Sequence, residues 1–162
     1  MTRQPLLFTP GPLSTSLTVK QAMLEDMGSR DHVFMNAVKD IRNGLLQLAH
    51  VSKEDGYECV IIQGSGTFAV ESVISSIVGD KSRLLVLANG AYGERIAKMA
   101  VVHRLDHRVL RLDEDTVVTP EITEAFLKDN PGVTHVACIH SETTTGLFNP
   151  VAEMGAVCKK YG

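Results

Sequence analysis

From Tyr57 onward, short apolar runs alternate with segments of helical spacing, and this alternation restricts the fold more than any other feature of the chain. The apolar runs are Tyr57–Gln63 (YECVIIQ), Arg83–Ala88 (RLLVLA), Arg108–Leu112 and Val133–His140 (VTHVACIH). The spacing predicts helices after them over Thr67–Val78, over Glu94–Val102, from Thr119-Pro120-Glu121, and over Val151–Tyr161, which ends at Gly162. In the first of these, Val70, Val73, Ile74 and Ile77 share one face and Gly79 closes the segment. Thr119-Pro120-Glu121 combines a capping hydroxyl, a proline in the first turn and an early acid. A strand apolar at successive positions is buried on both faces, and a helical crossover between strands makes them parallel. The pattern therefore predicts an α/β fold, with four strands in a mostly parallel sheet and helices on both faces. The last helix should cross back to another strand, and none follows it. The expectation is a fragment of a longer chain, with an apolar sheet edge left open.

Upstream, Thr9-Pro10-Gly11-Pro12 reads as a rigid loop. A helix is predicted from Thr18 or Val19 to Met27, ended by Gly28. A second runs from about Phe34 to Val51, with Val38, Ile41, Leu45 and Leu48 as one buried stripe. A length of 162 residues suits one domain, and 44% hydrophobic with 22% charged residues is a globular balance. A net charge of −3 gives no reason to expect a nucleic-acid or anionic-membrane partner. No apolar run is long enough to span a bilayer, and Met1–Pro5 before Leu6, Leu7 and Phe8 does not read as a secretory signal. A cytoplasmic location is the expectation. Cys59, Cys138 and Cys158 form no C-x-x-C pair, so no structural zinc is expected, and Cys59 and Cys138 read as small core residues. His103 and His107 have i, i+4 spacing, but the helix should end at Asp106-His107 and no carboxylate ligand is evident, so no metal is assigned.

Ligands of such sheets gather at the carboxyl ends of the strands. Three strand ends carry unusual chemistry. Gly64-Ser65-Gly66-Thr67 opens a helix; its glycines allow a tight turn, and the helix N-terminus welcomes an anion. The same letters also suit an ordinary glycine-rich turn with Thr67 as N-cap. A dinucleotide site would need an acid at the end of the next strand, where Ala88-Asn89 stands; a P-loop would need a lysine, and a hydrolase elbow the spacing G-x-S-x-G. Asn89-Gly90-Ala91-Tyr92-Gly93-Glu94-Arg95 sets a ring between glycines that would leave it room to lie over a planar ligand, or it is a tyrosine at the core edge. His140-Ser141-Glu142-Thr143-Thr144-Thr145-Gly146 is either a polar site wall or an exposed turn, and its carboxylate and hydroxyls need partners if buried. His140 itself reads as a hydrogen-bonded strand-end histidine.

In order and spacing, LLFTPGP, GSGT, NGAYGER and HSETTTG resemble the class V aminotransferases of the fold-type I pyridoxal-phosphate enzymes, over nearly the whole chain. LLFTPGPLSTS, MGSRDHVF and QGSGTFAVES favour, within that family, the transamination of 2-aminoethylphosphonate with pyruvate. Chemistry on alanine or serine with glyoxylate is the near alternative, and a non-catalytic phosphate-ligand binding fragment the distant one. The resemblance implies pyridoxal 5′-phosphate as cofactor, an amine and a 2-oxo acid as substrates, and a homodimer. It implies that Ser65, Gly66 and Thr67 hold the cofactor phosphate, that Tyr92 stacks on its ring, and that Thr143 lies near the ring oxygen beside Thr144 and Thr145. It sets Pro10, Gly11, Pro12 and Arg30 on the substrate side, although Arg30 equally suits an ion pair. Residues 1–32 then form an N-terminal arm with the substrate-side loop, and residues 33–162 part of the cofactor-binding large domain. The Schiff-base lysine and the aspartate at the pyridine nitrogen are expected downstream, because none of Lys20, Lys39, Lys53, Lys81, Lys98, Lys128, Lys159 and Lys160 belongs to the family's lysine motif.

Overall fold

The structure is a computed structural model that describes residues 6–162; the opening pentapeptide, including Met1–Pro5 of the signal-sequence reading, lies outside the described residues. The chain divides into two compact units that meet in sequence at Gln63 and Gly64, and each is taken by itself.

In the first unit, helix α1 (Leu17–Ala22) is capped by the Ser16 hydroxyl, which accepts from the Val19 amide at 3.3 Å. It stops short of the predicted Met27. Met23 and Leu24 are 77% and 83% exposed, and a short helix that buries no face has little to extend it. Helix α2 (His32–Leu48) follows the predicted segment closely. Its predicted stripe is only partly covered: Val38 is half-buried, Ile41, Leu45 and Leu48 are exposed, and Leu46 is the buried residue of this helix. Tyr57–Gln63 is not a strand: it joins no ladder among the described residues, and Tyr57, Val60, Ile61 and Ile62 are exposed. Strand chemistry alone does not make a strand, since the extended backbone needs a hydrogen-bonding neighbour. The run is tied to α2 through Glu58, which meets Arg42 at 2.8 Å.

The second unit is the α/β body. Helix α3 (Gly66–Ile77) leads to strand β1 (Leu84–Ala88), then α4 (Ala91–Val102), β2 (His107–Arg111), α5 (Pro120–Asp129), β3 (His135–Cys138) and α6 (Val151–Cys158). The sheet is parallel, three-stranded among the described residues rather than four-stranded, and ordered β2-β1-β3. Val86 stands opposite Val109 on one side and Ala137 on the other. All five residues of β1 are buried, as expected for a central strand covered on both faces. Leu84, Val86 and Ala88 pack with Ile74 of α3 and with Ile96, Ala97 and Ala100 of α4. Leu85 and Leu87 point the other way, against Leu127 of α5 and Met154 and Val157 of α6. The period-two alternation of one apolar strand thus fills both layers. The α5 boundary falls where the sequence set it, and the Thr119 hydroxyl accepts from the Ile122 amide at 3.3 Å. Strand β3 ends before His140 because the Ile139 carbonyl turns to the Asn149 side chain, 2.7 Å away. His103 and His107 do not share a helix, since one caps α4 and the other opens β2. Among the described residues no helix is long and apolar enough to cross a membrane.

Candidate functional site

The glycine turn Gly64-Ser65-Gly66-Thr67 stands at the start of α3. Gly64 adopts φ +144°, and a Cβ there would lie 2.8 Å from Cδ1 of Phe68, so the position demands glycine. The N-cap is Ser65 rather than Thr67: the Ser65 hydroxyl accepts from the Phe68 amide at 3.4 Å. Ser65 has the extended backbone a cap requires, whereas Thr67 is already inside the first turn. The amides of Gly66 and Thr67 lie where helix geometry provides no intrahelical acceptor. A Cβ on Gly66 would meet nothing within 4 Å, so the turn faces open space. Two helix-terminal donors, the Ser65 and Thr67 hydroxyls and an unobstructed approach are what a phosphate dianion needs.

The second and third strand ends are joined by Glu142, a side chain for which the local sequence names no partner. Glu142 is fully buried. Its two oxygens accept from the amides of Tyr92 at 3.2 Å and Gly93 at 3.3 Å, the first turn of α4, and Thr144 donates to the same carboxylate at 3.5 Å. A carboxylate against two unpaired helix-terminal amides is favourable in both charge and hydrogen bonding. The glycines beside Tyr92 therefore make room for protein, not for a ligand. A Cβ on Gly90 would stand 2.5 Å from Cδ of Glu142, and one on Gly93 would stand 2.7 Å from Cα of Ala88. Tyr92 itself is half-buried, and Arg95 covers one face of its ring, with the guanidinium carbon 4.6 Å from the centroid. Arg95 also donates to the Thr67 hydroxyl at 3.0 Å, linking the ring to the glycine turn. Nothing in the local pattern of NGAYGER marks that reach from α4 to α3.

The threonines of the third strand end are exposed, on a turn closed by Gly146 N–H donating to the Glu142 carbonyl at 2.8 Å and by Glu142 N–H donating to that of Leu147 at 2.9 Å. Thr143 stands in that turn with its side chain towards the surface. The Thr145 hydroxyl accepts from the Leu147 amide at 3.3 Å and so also serves the turn. His140 lies edge-on to Phe148, with ring centroids 5.6 Å apart. Behind these loops lies a buried pair with no counterpart in the sequence reading. Asn89 and Asn149 exchange hydrogen bonds of 2.9 and 3.1 Å. Asn89 also donates to the Thr116 carbonyl, and Asn149 accepts from the Val118 amide, each at 2.9 Å. Together with the Ile139 carbonyl, this ties the ends of β1 and β3 to the loop before α5.

Burial, and to a lesser extent the Glu142 charge, push the Cys138 thiol up to about 11. Cys138 is thus a neutral residue behind the site rather than a nucleophile. Pro10, Gly11, Pro12 and Arg30 belong to the first unit. There the Thr9 hydroxyl donates to the Pro12 carbonyl at 2.6 Å across a cis Gly11–Pro12 bond, and Arg30 is exposed just before α2. Among the described residues no group of three or more His, Cys, Asp or Glu could hold a metal ion. The second unit therefore presents an anion-receptive turn at the start of α3, linked by Arg95 to a braced aromatic ring that follows the carboxyl end of β1.

Residues 16–162 match the family described as Aminotransferase class-V. A 2-aminoethylphosphonate–pyruvate transaminase of Lysinibacillus sphaericus is 47% identical over 155 residues, 96% of this chain and 42% of that protein. One of Phocaeicola vulgatus is 43% identical over 158 residues, 97% of this chain and 43% of that protein. The chain thus spans less than half the length of these relatives. Among solved structures, alanine–glyoxylate aminotransferase of Nostoc sp. superposes with a TM-score of 0.84 at 25% identity, over 100% of this chain and 42% of that one. Pyridoxamine-pyruvate aminotransferase of Mesorhizobium loti gives the same TM-score of 0.84 at 22% identity, over 95% and 38%, and speaks for the fold. A parallel sheet with this site at its carboxyl edge and a family match across nearly all of its length lead to one assignment: the chain belongs to the class-V aminotransferase family.

Proposed function

We propose that this chain is part of a pyridoxal-phosphate enzyme that transfers the amino group of 2-aminoethylphosphonate to pyruvate, giving phosphonoacetaldehyde and alanine. The observation that carries the reading is the linked set Thr67–Arg95–Tyr92–Glu142, an anion turn and a braced ring in one unit. The choice of substrates rests on the relatives at 43% and 47% identity that bear that name.

In this reading Ser65, Gly66 and Thr67 hold the cofactor phosphate and Tyr92 packs on its pyridine ring. Thr143 and Thr145 border the ring oxygen, and Pro10, Gly11, Pro12 and Arg30 border the substrate. Residues 1–32 serve as the substrate-side arm and residues 33–162 as part of the large domain. When bound, the cofactor supplies an electron sink for the carbon that loses its proton. The residues of this chain bind and orient: the turn anchors the phosphate, and the rigid backbone under Tyr92 fixes the angle of the ring. The lysine and aspartate that complete the chemistry are assigned to sequence beyond Gly162. The working protein is a cytoplasmic homodimer.

The test is spectroscopic. The complete gene product with pyridoxal phosphate should show a visible band of bound cofactor that 2-aminoethylphosphonate shifts and pyruvate restores. A band that responds to alanine or serine, restored by glyoxylate and indifferent to the aminophosphonate, would move the assignment to those substrates. The absence of any band would remove the cofactor from the proposal.

A further inference from the structure

Arg95 lies one helical turn beyond Tyr92 on the same face of α4, and it is exposed. Its guanidinium does two things at once. It packs on Tyr92, 4.6 Å from the ring centroid, and through Nη1 it donates to Oγ1 of Thr67 at 3.0 Å. A guanidinium has donors and no acceptor, whereas a threonine hydroxyl has one proton and two lone pairs. With a lone pair of Oγ1 occupied by Arg95, the Thr67 proton has to point to some other acceptor. Thr67 lies in the first turn of α3, beside amides that lack intrahelical partners, and the space before Gly66 is open.

We infer that Arg95 is a positioning residue that makes the turn selective for a phosphate monoester: it fixes the Thr67 hydroxyl as a donor to the anion and leaves one face of Tyr92 for the ligand's ring. The inference rests on the cofactor reading proposed above and adds to it the group that sets the preference for phosphate. Its positive charge also favours a dianion at the turn, and its planar fork distinguishes it from lysine in that role.

The test compares pyridoxamine 5′-phosphate with pyridoxamine, which lacks the phosphate, as ligands of the cofactor-free complete gene product, using ligand fluorescence. Arg95→Met should weaken binding of the phosphate compound about tenfold, the effect of losing about 1.4 kcal/mol, and leave binding of pyridoxamine nearly unchanged. Arg95→Lys, which keeps the charge and loses the fork, should recover part of the preference. Thr67→Val added to Arg95→Met should cost little more, because the two act through one hydroxyl. A wild-type preference for phosphate that both Arg95 variants retain overturns the inference and spares the phosphate turn. Equal losses for the two ligands overturn it as well, since Arg95 would then act only on the ring. A wild-type protein with no preference between the ligands overturns the phosphate turn and the inference with it.

Discussion

Glu142 occupies a position where each oxygen of a carboxylate has its own amide, those of Tyr92 and Gly93. Glutamine has one acceptor oxygen and sets an NH2 group against the second amide. Glu142→Gln is therefore expected to destabilise the fold by about 1–3 kcal/mol, read from the urea midpoint of the complete gene product. An unchanged midpoint would mean that the buried carboxylate does not hold the α4 terminus. Cys138 makes a second test at this scale. Its thiol ionises at about 11 when folded, against 9.0 for a free thiol. Between those values the unfolded chain has released the proton and the folded chain retains it, so stability falls as pH rises from about 9 to 11. Below pH 9 the group contributes no slope. Cys138→Ala should flatten the stability profile in that alkaline window, and an unaltered slope would show that the thiol is not shielded.

The elements differ in how much of their form was visible in the letters, and the difference follows the reach of the interactions. The start of helix α5 was legible because Thr119, Pro120 and Glu121 act within one turn. Strand β1 was legible because a fully apolar run can only be central. Tyr57–Gln63 carries the same kind of letters and forms no strand, since pairing is decided by a neighbour that no local pattern announces. The site divides in the same way. The glycine turn and Tyr92 could be read from spacing, whereas the partners of Glu142, Arg95 and Asn149 lie 49, 28 and 60 residues away. The Asn89–Asn149 pair joins four loops and strand ends, so its loss should exceed that of a single cap. Asn149→Ala strands the Val118 amide, the Ile139 carbonyl and Asn89, at a cost of about 3 kcal/mol. Thr119→Ala removes one cap bond and should cost about 1 kcal/mol. Comparing the two denaturation midpoints checks the order; an Asn149→Ala protein as stable as Thr119→Ala would contradict it.

At the scale of the whole molecule, one sheet and two apolar layers serve to bring three loops to the same edge of the second unit. An open groove of about 450 Å³ runs along β3, lined by Val70, Val73 and Ile77 of α3 and by Ala137 and Ile139. The apolar face of α3 read from the sequence is thus real, yet only Ile74 of its predicted stripe is buried. In the function proposed, this edge takes a ring that carries a phosphate, with the phosphate on the α3 turn and the ring on Tyr92. The most direct measurement is the affinity of the cofactor-free complete gene product for pyridoxamine phosphate and for pyridoxamine, with Thr67→Val and Tyr92→Ala beside the wild type. Thr67→Val should weaken only the phosphate compound, and Tyr92→Ala should weaken both; equal affinity of all three proteins for each compound would contradict the site.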